Sequence, residues 1–176
     1  MQRLLKYIYG TQDFRLRLRI GNKGIATYAH VDALFAVHST DCRSHTGLAN
    51  MLGDALIDTK SSKQRINTNS SSEAELVAVS ESMDRIAQTN DFIYHQGYRA
   101  MPVPVLYQDN MSTMSLITNA EATRHINVKY FYVKDYIDHD ELTVRHMPTA
   151  DMIADFFTKP LTGAHFIALC KKVVGI

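Results

Sequence analysis

The sequence is poor in cysteine. It has two, Cys42 and Cys170, far apart and outside any CxxC pair. That excludes a thiolate zinc site of ordinary spacing and a disulfide framework, and predicts buried structural thiols in a reducing interior. No stretch approaches the roughly 20 apolar residues of a membrane span. The opening MQRLLKYIYG lacks the apolar centre of a secretory leader. An excess of one charge is missing too: 19 basic and 18 acidic residues leave a formal +1. This excludes a bulk polycation and still allows a local basic face. The eight histidines form no HExxH pattern, and there is no internal repeat, low-complexity tract or interdomain linker. What remains is 176 residues, 45% hydrophobic. That is enough for one domain with a real core, expected to be soluble and intracellular.

The elements follow from periodicity. Residues 1–13 read as a short helix with Leu4, Leu5 and Ile8 on one face, stopped at Gly10. FRLRLRI (14–20) alternates strictly and predicts a half-exposed antiparallel strand, followed by a GNKG turn. IATYAHVDALFAVH (25–38) predicts a buried strand. TGLANMLGDALIDTKSSKQ predicts a hairpin turning at Gly53-Asp54. After the polar run NTNSSS the spacing becomes helical. Leu76, Val79, Met83, Ile86 and Ala87 form a stripe that ends near Gly97. PVPVLYQDN then reads as a strand, MSTMSLITN and INVKYFYVKDYIDHD as helices, and ELTVRHM as a last strand. TADMIADFFTK and GAHFIALCKKVVG close the chain as helices around Pro160. The order predicts a mixed α/β domain with an antiparallel start and parallel additions.

Within this pattern Asp32 stands in the middle of an apolar strand. A buried lone carboxylate costs several kcal/mol unless it is paired, protonated or metal-bound. Glu75 sits in the first turns of a helix, Asp109 closes a strand, and Asp155 lies among Ile153, Ala154, Phe156 and Phe157. Converging, the four would repel unless cations lay between them, and two Mg²⁺ ions would satisfy them. The same acids also read as unrelated: Glu75 as a helix-start acid, Asp109 as a turn residue, and Asp155 as the partner of Lys159 four residues on.

From end to end, the chain resembles the ribonuclease H domain of Ty1/copia-type retrotransposon polyproteins. The resemblance rests on RLLKYIYGT, YAHVDALFAVH with RSHTG, SSKQ with NTNSSSEAELVAVSE, YQDNMST, RHINVKYFYVKDYI and PTADMIADFFTKPL, in that order. It implies an α/β ribonuclease H-like fold, a five-stranded mixed sheet flanked by helices. Residues 1–13 become the segment joining an upstream reverse transcriptase, and 14–176 the ribonuclease H domain.

The resemblance also implies Mg²⁺-dependent cleavage of the RNA strand of an RNA–DNA hybrid, with two ions and Mn²⁺ as a substitute. Asp32, Glu75, Asp109 and Asp155 match the metal-binding acids. Glu75 is preferred over Glu73 because it precedes Leu76 as the family's glutamate precedes its apolar neighbour; Asp155 is preferred over Asp151, a helix-start acid. His146 matches a mobile histidine that assists turnover, with a strand histidine as its plainer role. His30 and His38 are expected to be structural.

Ser70, Ser71 and Ser72 stand where relatives contact the RNA strand, or cap the helix. Arg43, Lys60, Lys63 and Arg65 are candidate phosphate contacts, or ordinary surface charge. Arg124, His125 and Lys129 form a basic rim on a packed helix. Leu34 departs from the small or polar residue expected there. The implied partners are an RNA–DNA hybrid and a reverse transcriptase domain of the same polyprotein, with no membrane. The implied place is the cytoplasm, inside a virus-like particle. An inactive hybrid-binding module is the alternative, and an integrase-like core is disfavoured by the SSSEAELVAVSE helix.

Overall fold

The computed structural model describes residues 2–118 and 127–174. An opening helix α1 (Gln2–Thr11) precedes strands β1 (Thr27–Leu34), β2 (His45–Leu52) and β3 (Ala55–Lys63). The long helix α2 (Ser71–His95) follows, then β4 (Val105–Gln108), α3 (Met111–Thr118), α4 (Asn127–Asp138), β5 (Thr143–His146), the single turn α5 (Asp155–Thr158) and α6 (Gly163–Val174). The sheet order is β3-β2-β1-β4-β5. The first three strands are antiparallel, and β4 and β5 run parallel to β1. This is the five-stranded mixed sheet that the resemblance implies.

Alternation along the strands divides the core. Ala29, Val31 and Leu48 pack with Leu76, Val79, Met83 and Ile86 of α2. Ala49, Met51 and Leu56 pack on the other side with Ile153, Phe157 and Val173. Asp32, in phase with Tyr28, therefore belongs to the side covered by α5. The β2–β3 hairpin turns where expected, with Gly53 at φ 60°, a backbone region that glycine enters without steric cost.

Parallel pairing sets the position of the acids. His30 is in register with Tyr107 across β1 and β4, so Asp32 and Asp109, each two residues further on, reach the same level at the carboxyl ends of neighbouring strands. Gln108 is in register with His146 on β5. Crevices beyond such strand ends are where α/β sheets bind ligands.

Three expectations need correction. Residues 14–20 form no strand. Arg17 N–H bonds to the Val174 carbonyl and the Ile20 carbonyl accepts Asp54 N–H, but no ladder forms, and Phe14, Leu16, Leu18 and Ile20 stay exposed. Alternation marks an amphipathic extended segment and cannot supply the pairing strand. Residues 149–158 are not one helix but a 3₁₀ turn at Thr149–Asp151 followed by α5. Cys42 is exposed at φ 52°, while Cys170 is buried as expected. Arg124 and His125 lie outside the described residues.

Candidate metal centre

Asp32, Glu75 and Asp109 each offer a carboxylate oxygen, and these lie within 4.8 Å of one another. Asp32 and Glu75 are buried and Asp109 is half-buried. Three elements that meet only in the fold supply them: β1, the start of α2 and the end of β4.

The start of α2 explains why Glu75, not Glu73, faces inward. Ser70 Oγ accepts the Glu73 N–H at 3.1 Å, and the Glu73 carboxylate accepts the Asn69 N–H at 2.6 Å. These bonds fasten Glu73 to the turn before the helix, in the manner of a capping box. Glu75, about 200° further round, points into the cluster. Its carboxylate accepts the Ala33 backbone N–H and, at 3.2 Å, the Gln108 side-chain amide. Gln108 is fully buried, and its Oε1 accepts the backbone N–H groups of Asp109 and Asn110 at 2.8 and 3.1 Å. One amide thus positions two of the acids. Asp109 is held in addition by the Thr149 hydroxyl at 2.8 Å.

Asp155 lies beside this triad rather than in it. Its Oδ1 accepts from Lys159 Nζ at 2.7 Å, and the same ammonium is 3.5 Å from Asp32 Oδ1. The Thr158 hydroxyl donates to Asp32 Oδ2. The pairing of Asp155 with Lys159, read from sequence as an alternative to clustering, coexists with it. Asp151 is exposed and paired with Lys172 at 2.6 Å.

The electrostatics follow from this packing. Burial, then the Asp32 charge, pushes Glu75 up to about 9. Burial raises Asp32 against the opposing pull of Thr158 and Lys159, with Asp155 and Asp109 adding repulsion. Burial works against the Lys159 ammonium, but Asp155, Asp32 and Asp109 together hold its pKa above the ordinary value. The cluster has more negative charge than its protein partners neutralise, and its donors are all oxygens. That combination suits a hard divalent cation such as Mg²⁺.

The other sequence candidates surround this end of the sheet. His146 is exposed at the end of β5, opposite Gln108. Ser70 caps α2, Ser71 is exposed, and the Ser72 carbonyl accepts the Thr113 hydroxyl. Arg43 and Lys63 both pair with Asp41, at 3.4 and 2.6 Å. Lys60 pairs with Glu81 at 3.2 Å, and Arg65 is exposed. Leu34 is half-buried as the last residue of β1, in phase with Asp32. Sequence reasoning missed Gln108, Thr149, Thr158 and Gly47. The glutamine beside the YQDN acid and the threonine-lysine pair after ADFF were the available signals.

No protein-family model matches the chain. Among curated proteins, it is 30% identical over 98% of its length to the retrovirus-related Pol polyprotein of transposon RE2 from Arabidopsis thaliana. It is 27% identical, again over 98%, to that of transposon TNT 1-94 from Nicotiana tabacum. Over 74% of its length it is 31% identical to the truncated transposon Ty1-A Gag-Pol polyprotein of Saccharomyces cerevisiae. The chain spans only 12%, 13% and 11% of these relatives.

Among solved structures it resembles ribonuclease H1 of Halobacterium salinarum NRC-1, with a TM-score of 0.54 and 16% identity over 73% of this chain and 90% of that one. It also resembles the N-terminal RNase H domain of a Mycobacterium tuberculosis protein, solved fused to maltose-binding protein. There the TM-score is 0.58 at 9% identity, over 84% of this chain and 98% of that one. Relatives and fold agree: this chain is a ribonuclease H-fold domain and belongs to the Pol polyproteins of copia-type retrotransposons.

Proposed function

We propose that the domain is a metal-dependent endonuclease that hydrolyses the RNA strand of RNA–DNA hybrids during retroelement reverse transcription. The observation that carries this reading is the meeting of Asp32, Glu75 and Asp109 within 4.8 Å at the carboxyl ends of parallel strands. Asp32, Glu75 and Asp109 would hold one Mg²⁺, and Asp32 with Asp155 a second, with Mn²⁺ as a substitute. Bound there, the ions supply Lewis-acid activation of water and charge stabilisation at the leaving oxygen.

The protein's own part is orientation. Gln108 and the Ala33 N–H aim Glu75, Thr149 aims Asp109, and α5 brings Asp155 to Asp32. Arg43, Lys63 and Arg65, with Ser70, Ser71 and Ser72, line the approach for the hybrid's phosphates and riboses. Its shape and 2′-hydroxyls, rather than its bases, identify the RNA strand. His146, exposed next to the Asp109 strand end, assists product release.

Residues 1–13 serve as the junction to a reverse transcriptase of the same polyprotein, and the setting is an intracellular particle. No helix among the described residues is long and apolar enough to cross a membrane.

The test is cleavage of a labelled RNA strand in a hybrid with Mg²⁺, comparing wild type with Asp32→Asn. Cleavage abolished by the substitution, with duplex DNA and duplex RNA left intact, is the expected result. A folded wild type that cuts nothing with Mg²⁺ or Mn²⁺ overturns the enzyme reading in favour of a hybrid-binding module, with Leu34 the first position to revert to a small residue.

A further inference from the structure

Lys159 lies inside the carboxylate cluster rather than beside it. An ordinary i, i+4 pair on a helix surface would account for its bond to Asp155. It does not account for the second contact, to Asp32 on a strand distant in sequence. Asp32 and Asp155 are 2% and 3% exposed, whereas the lysine side chain keeps 29% of its surface in solvent.

The surroundings hold the ammonium there. Lys159 ends α5 in an extended conformation, with its backbone N–H on the Asp155 carbonyl at 2.9 Å. Thr158 occupies the other oxygen of Asp32. Gly47, paired with Asp32 across the β1–β2 ladder, has no side chain to keep α5 off the sheet.

We propose that Lys159 is a tethered counter-cation: it holds Asp32 and Asp155 together before metal binds and competes with a divalent ion for the space between them. This rests on the reading that the acids hold divalent metal. Two buried carboxylates repel strongly without a countercharge, and Lys159 supplies one. A divalent ion bridging Asp32 and Asp155 has to displace an ammonium already on both. The direct hydrogen bonds to the remaining triad partners come from neutral donors, Gln108 and Ala33 on Glu75 and Thr149 on Asp109, and the Lys159 charge reaches Asp109 only through space. The two ion positions are therefore unequal. The triad fills first, and the Asp155 side fills at higher ion concentration, when the flexible lysine stem swings to solvent.

The experiment is Mn²⁺ titration of the full chain, with free Mn²⁺ followed by electron paramagnetic resonance. Thermal unfolding is recorded alongside in chelator and in saturating Mn²⁺. Wild type shows one tight and one weak step. Lys159→Met tightens the weak step on the order of 10- to 100-fold, because it removes a positive charge that repels and competes with the incoming ion at ion-pair distance. It also melts earlier than wild type in chelator and regains that loss in Mn²⁺. Lys159→Arg keeps the weak second step. If the Met variant does not fold in chelator, Lys159→Gln folded in Mn²⁺ gives the same isotherm.

A Met or Gln isotherm identical to wild type overturns the proposal, as does an equal melting loss with and without Mn²⁺, which marks packing alone. A wild type that binds no Mn²⁺ overturns the metal reading itself, and this proposal with it.

Discussion

Gly47 stands directly opposite Asp32 in the β1–β2 ladder, and α5 rests on the sheet at that spot. A Cβ on Gly47 would lie 2.5 Å from Thr158 Cγ2 and 2.9 Å from the Ala154 carbonyl oxygen. Gly47→Ala therefore lifts the turn that carries Asp155, Thr158 and Lys159. Overpacking of this kind costs about 1–3 kcal/mol. The expected outcome is a lower melting temperature and hybrid cleavage reduced by more than stability alone explains. Wild-type cleavage in Gly47→Ala would show that α5 need not touch the sheet.

Glu75 and Asp32 both have raised pKa values, Glu75 up to about 9, with burial the leading cause. In the unfolded chain such groups titrate near 4. Between about pH 4 and about pH 9 the metal-free folded state therefore holds more protons than the unfolded one, and stability falls as pH rises. Denaturant melts in chelator should show lower stability at about pH 8 than at about pH 5, and Glu75→Gln should flatten that slope. Divalent metal should reverse it, because binding expels the proton. A metal-free stability that rises with pH would contradict this electrostatic account.

Glu73 and Glu75 are two residues apart and should fail in different ways. Glu73→Ala removes the carboxylate that accepts the Asn69 N–H, leaves the Ser70 cap on the backbone, and should cost about 1 kcal/mol, measured by denaturation, with Mn²⁺ binding retained. Glu75→Gln should leave the helix start intact, weaken Mn²⁺ binding and abolish cleavage. Matching metal affinities in the two variants would remove Glu75 from the site.

Much of this molecule was legible in its sequence. The Gly53-Asp54 hairpin, the α2 stripe and the strand ending at Gln108 are local patterns, and local patterns survive folding. Residues 14–20 show the limit, because alternation encodes a face but not a neighbour. The late segment misled for a related reason. Apolar spacing in MIADFF suggested one helix, whereas packing against β1, β2 and β3 favours a 3₁₀ turn and one α-turn. The choice between Glu73 and Glu75 came from a resemblance, and the cap at Ser70 now gives it a physical basis. The contacts of Lys159 with Asp32, Gln108 with Glu75 and Thr149 with Asp109 were beyond reach, since each joins residues that only the fold brings together.

The hydroxyl of Thr158 bonds a carboxylate 126 residues earlier in the chain. Closure over so long an interval comes late, because α5 docks on β1, β2 and β3 and has no surface to meet until they have paired. Asp32 thus leaves the ribosome 126 residues ahead of Thr158 and waits for its Thr158 and Lys159 partners until the strands between them have paired. The triad needs only β1, α2 and β4, but the Asp155 side of the centre waits for α5, and fragments ending before residue 155 should fail to cleave hybrid even where their sheet has formed.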